Sequence, residues 1–135
     1  GENLERLGIS VADLLQIDWL DLPSDKLASL PQFDAILLDV PCSNSGVIRR
    51  RIDVRWRLNP HDFKEQAAIQ KRLLEAVAPL LKPNGRLVYS TCSIDLEEND
   101  QVVSSGPWTV DKTVSSLPWR DGYDGAFAAL LRPAT

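Results

Sequence analysis

The chain has 135 residues, 44% of them hydrophobic, which fits one domain with a modest core. Its net charge of -4 excludes a uniformly basic nucleic-acid-binding face, so any contact with RNA has to be local. No apolar run approaches the roughly 20 residues of a membrane span, and Gly1 to Arg6 is too polar for a signal peptide, so the expected compartment is the cytoplasm. In chain order, Leu4 and Leu7 share a helical face with Gly8 as its C-terminal cap, and Val11 to Ile17 reads as a short strand ending at Asp18. Phe33 to Leu38 is a continuous apolar run of the kind covered on both faces in a sheet, ending in Asp39-Val40-Pro41-Cys42. A capping box at Asp62 and Glu65 opens the longest helix, whose stripe of Phe63, Ala67, Leu73, Leu74, Val77 and Leu81 is interrupted only by Gln70. Lys82-Pro83-Asn84-Gly85 stops that helix and Arg86 to Ser90 forms the next strand. Leu96 to Val103 reads as a short acidic helix, and Ala126 to Leu131 as a final strand pairing antiparallel with Trp108-Thr109-Val110.

Two cysteines without an export signal are expected to stay reduced, each to be read as buried filler or as chemistry. In an open α/β sheet ligands bind beyond the carboxyl ends of the strands, and three apolar strands here end at Asp18, at Asp39 to Ser43 and at Thr91 to Ser93. If the second and third are neighbours, about 4.8 Å apart, Cys42 and Cys92 open into one cleft with Asp39. Arg49, Arg50, Arg51, Arg55 and Arg57 cluster around Trp56, either to hold phosphates and stack on a base or as a solvated loop paired with Asp53 and Asp62. His61, the only histidine, reads as a surface residue, and the cysteines and histidine have no zinc-ligand spacing.

The segments Ile36-Leu37-Leu38-Asp39-Val40-Pro41-Cys42-Ser43-Asn44-Ser45-Gly46-Val47 and Tyr89-Ser90-Thr91-Cys92-Ser93-Ile94 resemble motifs IV and VI of the Sun/Fmu and nucleolar-protein family of RNA 5-methylcytosine methyltransferases. Asp53-Val54-Arg55-Trp56, Glu97-Glu98-Asn99 and Asp124-Gly125-Ala126-Phe127 resemble further family segments, Ala126 departing from the pattern. Within the family the resemblance is nearest to bacterial small-subunit rRNA members. It implies an α/β, Rossmann-like class I methyltransferase sheet with its first two strands missing and a C-terminal antiparallel hairpin, residues 1–135 being the C-terminal portion of one catalytic domain.

The resemblance also implies a chemistry. Carbon 5 of cytosine is a poor nucleophile, so a thiolate must first add to carbon 6. The family pattern assigns that attack to Cys92 and product release to Cys42, although chemistry alone leaves the choice open, because DNA cytosine-5 methyltransferases use a Pro-Cys cysteine at the position of Cys42. Asp39 is expected to hydrogen-bond the N3 edge of a base unstacked from its RNA. Asp18, Asp39 and Pro41 are expected toward the methyl donor, S-adenosylmethionine, with an N-cap role as the other reading of Asp18. Arg49, Arg50, Arg51, Arg55, Trp56 and Arg57 would flank the RNA.

The family's Gly-rich motif I and its motif II would lie upstream of Gly1. The chain by itself is therefore expected to bind S-adenosylmethionine weakly or not at all, which a titration giving micromolar affinity would refute. The sheet is expected to leave an open edge, with Val11 to Ile17 displaced or a second copy paired there. Two other readings stand beside this one. An Asp-x-Pro-Cys strand end also resembles the Asp-Pro-Pro-Tyr loop of amino-group methyltransferases, which need no cysteine, and the arginine cluster fits a non-catalytic RNA-binding or assembly module.

Overall fold

The computed structural model describes residues 2–10 and 13–134. Its first helix, α1 (Glu2–Arg6), closes at Gly8, which sits at φ 66°. There the amide of Ile9 donates to Leu4 O at 2.9 Å, the left-handed cap that a residue without Cβ adopts without strain. After α2 (Ser24–Ser29) comes β1 (Phe33–Asp39), the edge of a four-stranded sheet with β2 (Leu81–Thr91), β3 (Trp108–Ser116) and β4 (Ala126–Pro133). The spatial order is β1-β2-β4-β3. The β1–β2 pair is parallel, with Leu38 opposite Tyr89 and Asp39 opposite Ser90, whereas β4 runs antiparallel to both of its neighbours. The mixed α/β class and the C-terminal hairpin are as expected from the sequence, the hairpin being longer, from Trp108 opposite Pro133 to Ser116 opposite Ala126.

Beyond the single turn α3 (Val54–Arg57), one long helix, α4 (Pro60–Val77), covers one face of the sheet. Its buried residues Ala67, Leu73, Leu74 and Val77 join Leu38, Leu87, Tyr89, Phe127, Ala129 and Leu131 in the core. Tyr89 and Phe127 meet edge to face, their ring centroids 6.4 Å apart. Because Tyr89 pairs with Leu38 on the covered face, Ser90 and Asp39 necessarily point to the other, which is what places them beside open space.

Four expectations need correction. Residues 13–18 have no regular structure and Leu14 and Leu15 are exposed, Val11 and Ala12 lying outside the described residues. A strand needs an edge to satisfy its amides, and no ladder joins this segment to β1. The residues that follow it, Trp19 and Leu20, pack against the core. Second, β1 is covered on one face only: Leu37 is 73% exposed while Leu38 is 8%. Third, the capping box of α4 is Asn59 with Asp62, whose carboxylate accepts the Asn59 amide at 2.9 Å, and Pro60 takes the first helical position. The helix breaks at Pro79, which passes through the short 3-10 turn Ala78–Leu80, while Lys82 to Gly85 belongs to β2 as an irregularity in its register with β1. Fourth, only Asp100–Val103 (α5) is helical in the acidic stretch; turns precede it, because the side chains of Glu98 and Asn99 are drawn inward.

Among the described residues no helix is long and apolar enough to cross a membrane.

Candidate active site

Parallel pairing brings the carboxyl ends of β1 and β2 side by side, and the loops leaving them carry the two cysteines. Cys42 Sγ lies 3.1 Å from Cys92 Sγ, and both residues are half-buried. Asn44 orders the pair. Sitting in the left-handed region at φ 63°, it donates from Nδ2 to Cys42 O at 3.0 Å, which turns Oδ1 toward Cys92 Sγ at 3.1 Å. Burial, reinforced by the hydrogen bond with Cys92, pushes the Cys42 thiol from 9.0 up to about 12. Cys42 is therefore a protonated thiol at neutral pH, able to donate its proton toward the sulfur of Cys92.

A thiol favoured by the fold contributes stability that is whole below about pH 9 and is lost as pH rises toward about 12. Cys42→Ala is expected to flatten the alkaline limb of a plot of urea midpoint against pH. Superimposable limbs in the two proteins would contradict this. Burial also pushes the Tyr89 hydroxyl up, so part of the limb remains in the variant.

Asp39 stands on the same rim. Ser90 Oγ donates to Asp39 Oδ1 at 2.8 Å, which orients the carboxylate; Oδ2 has no hydrogen-bond partner among the described residues. Asp39, Ser90, Thr91 and Cys92 share a cleft of about 410 Å³ with Ser115, Ser116 and Phe127, within the size range of small-ligand sites. Asp39 and Cys92 thus share one cleft as expected, but Cys42 does not open into it: its half-buried thiol reaches the cleft only through its contact with Cys92. Pro41 lies beside them, but its carbonyl is taken by Gln70 Nε2 at 2.9 Å. Asp18 is elsewhere: it accepts the Leu20 amide at 3.0 Å in a turn and lines a separate concavity with Leu15, Asp21 and Leu30.

The arginine cluster divides. Arg49 Nε bonds Asp124 Oδ1 at 3.0 Å, Arg50 pairs with the other oxygen of Asp124, and Arg57 pairs with Asp53 at 3.1 Å. Arg55 stacks over Trp56 at 5.4 Å, and neither it nor Arg51 makes an ion pair among the described residues. Trp56 is 78% exposed.

Sequence reasoning missed the buried polar frame under the cysteines. Glu98, fully buried, accepts the Ser43 amide at 2.8 Å, Ser43 Oγ at 2.5 Å and Gln70 Nε2 at 3.1 Å. Tyr89 Oη donates to Glu98 O at 2.6 Å, and Thr91 Oγ1 to Asn99 Oδ1 at 2.6 Å. Ser45 Oγ donates to Asp95 and accepts the Ile94 amide, closing one loop on the other. One signal was available: Gln70, the polar break in an apolar helical stripe, is the residue that reaches across to Glu98 and Pro41.

The C-terminal segment is bolted to this frame through glycines. The Gly46 amide donates to Cys92 O at 3.0 Å and the Gly125 amide to Gly46 O at 2.7 Å. A Cβ on Gly46 would meet Cys92 O at 2.7 Å and collide with Gly125 O as well. Gly46→Ala is expected to cost about 2 kcal/mol or more, since backbone must move; a urea midpoint equal to that of the unmodified chain would show that the close approach is dispensable.

A profile described as 16S rRNA methyltransferase RsmB/F matches residues 1–120. Ribosomal RNA small subunit methyltransferase B of Enterobacter sp. (strain 638) is 41% identical over 96% of this chain and 32% of its own. The protein of the same name in Salmonella paratyphi B is 45% identical over the same shares. The chain thus spans about a third of the length of the curated relatives it matches. Among solved structures, NSun6 from Pyrococcus horikoshii with SFG superposes with a TM-score of 0.84 at 28% identity, covering 99% of this chain and 38% of that one. A methyltransferase homolog protein from the same organism gives 0.78 at 29%, covering 98% and 48%.

Proposed function

Because the chain belongs to the 16S rRNA methyltransferase RsmB/F family, we propose that it carries the cysteine chemistry of an RNA cytosine-5 methyltransferase acting on small-subunit rRNA. The observation that carries this reading is the 3.1 Å approach of Cys42 to Cys92, which shares its cleft with Asp39. Cys92 is the nucleophile. It lines the open cleft that Cys42 does not, and the Cys42 thiol can stabilise negative charge on it by donating a hydrogen bond.

Cytosine enters the cleft with its N3 edge toward Asp39; as the Cys92 sulfur adds to carbon 6 its thiol proton passes to N3, where the Asp39 carboxylate accepts it in a hydrogen bond, and that proton is lost to solvent once carbon 5 is methylated. S-adenosylmethionine, of which the SFG in the NSun6 structure is an analogue, supplies the methyl group taken by carbon 5. Elimination then breaks the sulfur–C6 bond and removes the carbon 5 proton. Cys42 serves this step: its proton passes to the departing Cys92 sulfur, and the thiolate it leaves takes the proton from carbon 5. Of the three residues proposed toward the donor, Asp39 has a carboxylate oxygen with no hydrogen-bond partner among the described residues, whereas Pro41 contributes its ring and Asp18 lies apart in its own concavity.

Capture by 5-azacytidine RNA tests the first step without the donor, since nitrogen at position 5 makes carbon 6 more electrophilic and favours the thiol adduct. A covalent adduct mapping to Cys92 is expected, and an adduct on Cys42 would reverse the assignment. A second reading, a module that binds RNA without chemistry, is favoured by the separation of Asp18 from Asp39. Salt-sensitive RNA binding with no adduct at either cysteine would establish it.

A further inference from the structure

Two aromatic side chains have no part in the chemistry above: Trp119 is 72% and Tyr123 73% exposed, as open to water as Trp56. Large aromatics held in water on a well-ordered turn are a feature of interaction surfaces rather than of folding. The turn that carries them is tightly built. In α6 (Pro118–Asp121) the Leu117 amide donates to Asp121 Oδ2 at 2.9 Å and Arg120 Nη2 to Ser115 O at 2.6 Å, and Gly122 ends the turn at φ 74°. Arg49 then clamps the following residues, donating to Gly122 O at 3.3 Å and to Asp124 at 3.0 Å. Tyr123 stands between these two anchor points.

The turn also lies a short, continuous path from the proposed nucleophile. Cys92 O accepts the Gly46 amide, Gly46 O accepts the Gly125 amide, and Tyr123 is two residues from Gly125, a reach of at most about 7 Å along the backbone. On its other side Arg49 leads through successive turns to Arg51, Arg55 and Trp56. The two stretches 49–57 and 118–124 hold six arginines, at 49, 50, 51, 55, 57 and 120, against the three aspartates 53, 121 and 124, a positive surplus in a chain of net charge -4. Exposed aromatic faces set in locally positive surface match single-stranded nucleic acid, whose bases stack on the rings while arginines meet the phosphates.

We infer that Trp119 and Tyr123, with Trp56 across the arginine cluster, form a stacking surface for the nucleotides that flank the target cytosine in single-stranded RNA. The inference rests on the RNA methyltransferase reading and adds to it the residues that hold the strand open beside the cleft. Stacking here is specific to unpaired RNA: a base engaged in a duplex does not offer its face.

The test uses the whole chain and a fluorescein-labelled 12-nucleotide RNA with one central cytidine, read by anisotropy. Trp119→Ala and Tyr123→Ala are each expected to weaken binding about tenfold, while Tyr123→Phe binds as the unmodified chain does. The salt dependence should be the same in all of them, since no phosphate contact is lost. With abasic nucleotides flanking the cytidine, the unmodified chain should lose the same affinity and the alanine variants nothing further. Thermal midpoints should not change, because both rings are in water. Tight RNA binding by the unmodified chain with unaltered affinity in both alanine variants would overturn the stacking surface alone. Failure of the unmodified chain both to bind this RNA and to be captured at Cys92 would overturn the RNA reading with it. Loss of self-association or of contact with another protein, without loss of RNA affinity, would assign the rings to a protein partner and overturn the proposal.

Discussion

Cys92→Ala is expected to lower the rate of covalent capture by 5-azacytidine RNA more than about a thousandfold. Its side chain is the one thiol that lines the cleft, and nothing else there is a comparable nucleophile: the other polar residues are the hydroxyls of Ser90, Thr91, Ser115 and Ser116 and the carboxylate of Asp39. Cys42→Ala is expected to behave differently. The adduct still forms at Cys92, about tenfold more slowly, because a hydrogen bond to the attacking sulfur is lost. Mass spectrometry of the captured peptide distinguishes the two residues. Equal capture rates in the unmodified chain and Cys92→Ala would end the assignment. RNA affinity should be little changed by either substitution, so a loss of binding parallel to the loss of capture would mark a folding defect rather than a missing nucleophile.

The second large effect is on stability. Glu98→Ala is expected to destabilise the chain by about 3 kcal/mol or more, because it strands the buried Ser43 amide, takes the short bond from Ser43 Oγ and leaves Gln70 Nε2 with Pro41 O as its one acceptor. Glu98→Gln preserves volume but replaces one acceptor with an NH2 group facing donors, so it should lie between Ala and the unmodified residue. Ser43 adjoins Cys42, so the same variants should loosen the cysteine pair and slow capture. Urea midpoints would report the first effect and capture rates the second. A Glu98→Ala chain of unaltered midpoint would mean that the carboxylate is no keystone of these loops.

Hydrogen bonding also explains how the family segments fit together. Glu97-Glu98-Asn99 and Asp124-Gly125 are far apart in the chain, yet both end on the loop that carries Cys42, Glu98 from beneath and Gly125 from the side. Their contribution is to hold two strand-end loops at a fixed separation, which is what lets two thiols face each other across it.

The local sequence determined most of the fold's parts. Apolar runs and helical stripes marked β1, α4, β2 and the terminal hairpin, because burial on a strand or helix imposes a period that can be read directly. Strand ends marked Asp39, Cys42 and Cys92, since loops at the carboxyl ends of parallel strands are where such a sheet places reactive groups. Boundaries were less legible: Pro79 ended α4 before Lys82 could, and Asn59 capped it ahead of Asp62, because competing signals lay only a few residues apart. Only the tertiary structure decided that residues 13–18 make no strand, that one face of β1 is open, and that Asp18 stands apart from Asp39. These depend on which edge and which face find partners, and pairing is a property of elements distant in the chain. The same holds for the two cysteine segments themselves: their residue types were legible at once, but the 3.1 Å contact and the proton held on Cys42 exist only because Glu98, Gln70 and Gly125 arrive from elsewhere to close the loops around them.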